Sequence, residues 1–293
     1  MKSPRQEASQ TPPSPGKSAR QDAGHSRRDA GAPHCQTGPE NIRLKLTIAY
    51  DGRPFNGWQS QPGGNTVQDH LHRALQAIAK QPVPIQGSGR TDTGVHALGQ
   101  VAHFDAPPDL TLKPCNWVPA LNTKLPPTIR VMHCDEVPPE FHARFSALGK
   151  TYHYDICTDP VMPPHRAGLA WHLPRLLDPT VLTETLGRYL GRHDFHAFAA
   201  YRGNESAATD YHRTIHRAEL ALLADGYRLT FVGDGFLYKM VRLLTGAAVK
   251  VAQGRFAPAE FAALLDQPAG LPHGKSNHCA PADGLYLQAV HYP

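Results

Sequence analysis

The sequence of 293 residues has no run of roughly 18 apolar residues, so no membrane-spanning helix is expected. Its first residues carry no apolar stretch either, and no ordinary secretory signal is expected. Cysteine is scarce: Cys35, Cys115, Cys134, Cys157 and Cys279 are scattered, odd in number and without a CxxC pair. That pattern argues against a disulfide framework and for reduced thiols in a cytoplasm. Histidine is plentiful, at 18 residues, but no HExxH motif or Cys/His cluster at ligand spacing appears, so no metal site is expected. No solenoid period repeats along the chain.

What is present is basic. The formal charge is +5 and the pI about 9.0, a balance that permits phosphate binding without requiring it. Residues 1–41 are rich in Pro, Ser, Gly, Gln, Arg and Asp and nearly free of large apolar side chains. Such a segment cannot offset its ordering entropy, so it reads as a disordered tail. Its six Lys/Arg against four Asp/Glu give it at most a weak attraction to RNA, and a plain solvated appendage is the simpler reading.

Beyond the tail, Arg43 to Tyr50 alternates polar and apolar residues as a half-buried strand does. Val67, Leu71, Ala74, Leu75 and Ile78 recur at helical spacing. Gly99 to Asp105, Thr128 to Cys134 and Thr151 to Cys157 read as strands. Asp178 as N-cap, Pro179 at the first helical position, and Leu177 with Leu182 as a staple predict another helix. Ala218 to Val232 predicts a hairpin about Asp225-Gly226. A helix is expected from Phe236 to about Val251 with Gly254 as its stop, then one opening at Pro258, then a strand over Leu285 to His291. Strands, a helix and more strands in each block, joined by hairpins, favour α+β with largely antiparallel sheets over a doubly wound parallel fold.

The chemistry concentrates in Gly87-Ser88-Gly89-Arg90-Thr91-Asp92-Thr93-Gly94-Val95-His96-Ala97. Three glycines in eight residues suit a loop whose backbone approaches a ligand, and a cation, a carboxylate and an imidazole stand inside it. The loop has neither a Walker lysine nor dinucleotide spacing. Two readings stand side by side: a reactive loop, or a β-turn in which Asp92 bonds its own backbone.

Gly89-Arg90-Thr91-Asp92-Thr93-Gly94-Val95-His96 resembles the signature loop of the TruA family of tRNA pseudouridine synthases. Other stretches agree in order: Tyr50-Asp51-Gly52, Phe55 to Gln59, Thr66-Val67-Gln68, Phe141 to Ser146, Lys150 to Tyr154, His193-Asp194-Phe195, Arg213-Thr214-Ile215, Gly235-Phe236-Leu237, Met240-Val241-Arg242 and Ala280 to Leu287. The resemblance runs from about residue 43 onward and omits only the tail. Departures are small. Thr93 stands where alanine is commoner, Lys239 where asparagine or histidine is usual, and Cys279 where threonine or alanine is.

The resemblance implies an α+β synthase of two similar halves, residues 42–149 and 150–293, with mixed sheets flanked by helices and the active-site cleft between them. It implies isomerisation of uridine to pseudouridine in the tRNA anticodon stem-loop, near positions 38 to 40 of the tRNA, by a cytoplasmic homodimer that needs no cofactor. Asp92 is then the catalytic carboxylate, as nucleophile or as a base assisting glycal formation. Arg90 would fill the gap left by the flipped base or hold a phosphate, and Tyr152 would pack on that base. A plain core residue on a strand is the bland reading of Tyr152. Arg242, in a helix with apolar neighbours Met240, Val241 and Leu243, needs an anionic partner; the resemblance makes that partner Asp92, keeping the carboxylate ionised. His96 is carried over as a substrate contact. Arg144, Arg188, Arg192, Arg213 and Lys275 are candidates for a phosphate-tracking groove or for ordinary surface charge. The rivals are a non-catalytic RNA-binding module on the same fold, and a metal-dependent nuclease using Asp92 with His96.

Overall fold

The structure, a computed structural model, describes residues 42–110, 112–201, 203, 209–266 and 276–293. The tail over residues 1–41, expected to be disordered, and Lys275 lie outside the described residues. Ten strands form a single sheet: β1 (Ile42–Tyr50), β2 (Gln86–Gly87), β3 (His96–Ala106), β4 (Ile129–Val137), β5 (Gly149–Cys157), β6 (Trp171–His172), β7 (Gly191–Asp194), β8 (His212–Leu223), β9 (Gly226–Gly233) and β10 (Leu285–His291). Five α-helices accompany them among the described residues: α1 (Val67–Ala79), α2 (Pro114–Asn122), α3 (Pro179–Gly187), α4 (Met240–Ala252) and α5 (Pro258–Asp266). The strand order is β4-β1-β3-β10-β5-β9-β8-β7, with β2 on β3 and β6 on β5. Pairing is antiparallel except for β10 with β3 and β5 with β6, so the fold is α+β with a mostly antiparallel sheet.

Local chemistry accounts for the starts of two helices. Thr66 and Asp69 close a capping box at α1: the Thr66 hydroxyl accepts the Asp69 N–H at 3.2 Å, and the Asp69 carboxylate accepts the Thr66 N–H at 3.1 Å. Asp178 caps α3, accepting the N–H groups of Thr180 and Val181 at 2.9 and 3.2 Å, and Pro179 takes the first helical position. Leu177 and Leu182, the expected staple pair, are both buried. The β8–β9 hairpin turns at Ala224-Asp225, one residue before the expected Asp225-Gly226, because Gly226 pairs with Leu223 as the first residue of β9; β8 also begins earlier than expected, at His212.

Pairing moves other boundaries. β3 starts at His96 because its first residues pair with Tyr286 and Leu287 of β10, which local pattern does not reveal. β4 runs on to Val137 because Arg43, Leu44 and Lys45 of β1 offer partners to Val137, Glu136 and Asp135. α4 begins at Met240 rather than Phe236, since Lys239 takes a left-handed backbone with φ of 58° that a continuous helix forbids. α2 was not expected at all: Pro114 opens it where no N–H is needed, but Pro119 lies inside it and makes the segment read as loop.

The core lies against the sheet. Leu44, Leu46 and Ile48 of β1 alternate inward beneath Val67, Leu71 and Leu75 of α1. On the other side of β10, nearly all of α4 is buried, with α3 and α5 packed near it. The strand β10 therefore stands at the middle of the sheet, between β3 and β5, and the loop before β3 projects beside the strand that carries Tyr152.

Candidate active site

The loop from Gly87 to Val95 is held from below by a buried polar network. The Gln100 side-chain Oε1 accepts the Ser88 hydroxyl at 2.8 Å, and its Nε2 donates to the Gly89 backbone carbonyl at 3.1 Å. Tyr50 and Thr91 share a hydrogen bond between hydroxyls at 2.8 Å, and burial pushes the Tyr50 phenol up to about 12. The Trp58 N–H donates to the Thr91 carbonyl at 3.1 Å. With its polar groups satisfied in this way, the loop is pinned rather than free to sample other shapes.

Asp92 begins a β-turn: its carbonyl accepts the Val95 N–H at 3.1 Å, and Gly94 supplies the positive φ of 79° that a type II turn needs at that place. The turn foreseen as a bland alternative thus exists, yet the carboxylate does not spend itself on it. Oδ2 accepts from Arg242 at 3.2 Å, and among the described residues Oδ1 has no hydrogen-bond partner. The same guanidinium donates through Nε to the Ala280 carbonyl at 2.8 Å, so its two arms join the loop to the segment before β10. The side chains of Asp92 and Arg242 keep 21% and 16% of their surface exposed, enough for a ligand to reach the pair.

Asp92 faces a cavity of about 480 Å³. Tyr152 lines it from β5, nearly buried, with Phe236 meeting its ring edge-on at 5.1 Å between centroids. Arg90 stands exposed at the rim, and no hydrogen bond ties its side chain to the described residues. Five cations (Arg90, Arg144, Lys150, Arg213, Lys239) line the walls against two carboxylates, Asp92 and Asp234. The sequence candidates Asp92, Tyr152, Arg90, Arg144 and Arg213 therefore meet in one place, with Arg242 behind Asp92. Arg188 caps the end of α3 and Arg192 sits on β7; neither lines the cavity.

His96 lies outside the cavity lining, buried at the start of β3. Its Nδ1 accepts the Gly52 N–H at 3.1 Å, which leaves Nε2 to donate to the Gly168 carbonyl at 3.1 Å. One neutral tautomer satisfies both bonds, and burial lowers its basicity despite nearby Asp51. Its ring stacks on Tyr286 at 4.6 Å, and His153 stacks on the opposite side of that tyrosine at the same separation. Lys150, Trp58 and Phe236 line the cavity without having been singled out for chemistry. The signal for Lys150 was available: it is two residues before Tyr152 on a strand and so shares its face.

A cavity that sets a reachable carboxylate beside aromatic rings and surplus positive charge is suited to a polyanionic ligand bearing planar groups, and its walls come from both flanks of the central strand. Among the described residues no three His, Cys, Asp or Glu side chains gather as a metal site would need. A family profile described as tRNA pseudouridine synthase matches residues 46–146 and 186–293. A tRNA pseudouridine synthase A from Akkermansia muciniphila is 52% identical over 254 residues, 86% of this chain and 95% of the relative. Proteins of the same description from Bacillus licheniformis and Bacillus subtilis are 40% and 39% identical over 253 residues, each spanning 86% of this chain and 99% of the relative. The chain belongs to the tRNA pseudouridine synthase family.

Proposed function

We propose that this protein isomerises uridine to pseudouridine in tRNA, with Asp92 as the catalytic nucleophile. The observation that carries the reading is the asymmetry of the carboxylate: Oδ2 is held by Arg242 while Oδ1 is left to react, beside Tyr152 in a cation-lined cavity. The reaction breaks the N1–C1′ bond of uridine and joins C5 to C1′, after which C5 gives up its proton and N1 gains one. Atoms are conserved and no redox change occurs, so a carboxylate able to form and release a sugar bond suffices. The base must first leave its stack, at a cost of a few kcal/mol. Tyr152 gives it a platform worth about 1–3 kcal/mol, and Arg90 at the rim is placed to fill the gap it leaves. Residues 42–149 bring the loop and residues 150–293 bring Tyr152 and Arg242, which supports a cleft between two halves.

The test is release of tritium from an unmodified tRNA transcript carrying C5-tritiated uridine, with neither metal nor nucleotide added. Release is the expected result. Binding without release would favour the RNA-binding module, and strand cleavage in a parallel reaction supplied with a divalent metal, abolished by chelator, would favour the nuclease. By family resemblance the substrate region is the anticodon stem-loop, and mapping the modified uridine checks that directly.

Family resemblance also points to a cytoplasmic homodimer, in which one subunit would hold the tRNA body while the other receives the flipped base. Light scattering of the active protein should give about twice the 32.0 kDa chain mass. An active particle at the single-chain mass would end the dimer proposal.

A further inference from the structure

Lys150 is a cation for which the reaction above has no use. It leaves β5 on the same face as Tyr152, and its side chain is mostly enclosed. Of the three donors of its ammonium, one goes to the Ser88 carbonyl at 3.0 Å, and the others find no acceptor among the described residues. No carboxylate lies within 4.0 Å of it among those residues. The two carboxylates of the cavity are engaged elsewhere, Asp92 by Arg242 and Asp234 by the Thr214 N–H at 3.0 and 3.1 Å. Burial, and then the charge of Arg144, push the Lys150 ammonium down to about 8. Gly89 keeps the space open, since a Cβ there would collide with Nζ. An enclosed ammonium without a counter-charge is unfavourable for the folded protein, and an apolar side chain of the same length would fit better.

We propose that Lys150 binds a phosphate of the RNA substrate, the one adjoining the nucleotide held against Tyr152. The proposal rests on the synthase reading of the site. Two residues along a strand are separated by about 7 Å, so the ring can face the base while the ammonium faces the sugar–phosphate of the same nucleotide. A neutral uracil carbonyl would not offset a full charge. A phosphate oxygen brings the missing counter-charge and makes the stronger, charge-assisted bond.

The experiment measures tRNA binding to Asp92→Ala, alone and combined with Lys150→Met or Lys150→Arg, over a range of salt, together with turnover by the single Lys150 variants. Lys150→Met should weaken binding about tenfold and flatten the slope of log affinity against log salt by roughly 0.7–0.9, the share of one phosphate. Its melting temperature should be unchanged or higher, and Lys150→Arg should recover part of the affinity. Unchanged affinity and slope would overturn the proposal. So would a lowered melting temperature with the slope intact, which marks a structural lysine. A fall in kcat with binding and slope intact would move the contact to the base and overturn it too. Failure of the wild type to release tritium sinks the synthase reading separately, because the salt slope is read from binding alone.

Discussion

Asp92→Ala should lose tritium release by at least about four orders of magnitude while still binding tRNA. The substitution removes both carboxylate oxygens, the one proposed to react and the one that Arg242 holds. The loop itself should keep its shape. Its turn is closed by backbone atoms of Asp92 and Val95, and its base is fixed by Gln100, Tyr50 and Trp58, none of which touches the lost side chain. Affinity should fall by less than tenfold, because the phosphate-facing cations remain. Substantial residual turnover would remove Asp92 from the centre of the reaction. Loss of binding together with turnover would indicate that the loop had collapsed instead.

Arg242→Ala should cost about 10²- to 10³-fold in kcat/KM and lower stability by about 2–3 kcal/mol. The guanidinium makes two charge-assisted contacts in different directions, Nη1 to Asp92 and Nε to the Ala280 carbonyl, while its own backbone carbonyl accepts the Ala280 N–H at 3.0 Å. Removing it leaves a carboxylate without its counter-charge and takes away one of the two bonds that fasten the segment leading into β10. Arg242→Lys is the sharper probe. A lysine restores the charge but cannot reach both partners as a planar fork does, so it should recover stability only in part and turnover less. Urea unfolding and tritium release together decide the matter. Full rescue of both by lysine would reduce the contact to simple charge neutralisation.

What the sequence disclosed and what it withheld follow from the range of the forces involved. The α3 cap at Asp178-Pro179 and the strand Leu285–His291 are written in neighbouring residues and lie where local chemistry put them, and the β8–β9 turn falls one residue from its expected place. α2 escaped notice because Pro119 is a breaker by propensity, and only packing of the buried Trp117 and Leu121 overrides that preference. Arg242 stood out because an arginine among apolar helix neighbours needs an anion, and the structure supplies Asp92, 150 residues away in sequence. Lys150 did not stand out, since a lysine in an alternating strand ordinarily marks the solvent side. His96 shows the converse. In the sequence it is an imidazole four residues from the candidate carboxylate Asp92, and only the pairing of β3 with β10 turns it away from the cavity and onto Tyr286. Long-range pairing, invisible to local pattern, decided both.

The place of β10 bears on how the molecule comes into being. A ribosome makes β3 and β5 long before it makes residues 285–291, yet those two strands meet only through β10 lying between them. Every shorter nascent chain therefore has two sheet edges waiting at its centre, with unpaired N–H and C=O groups open to the wrong partner. The Arg242–Ala280 contact lies immediately upstream of that strand, so the clasp behind Asp92 closes at about the same moment as the gap. The completed clasp and the central strand pairing thus both arrive late in synthesis, and a nascent chain caught earlier has the loop but not the Ala280 contact that ties Arg242 behind it.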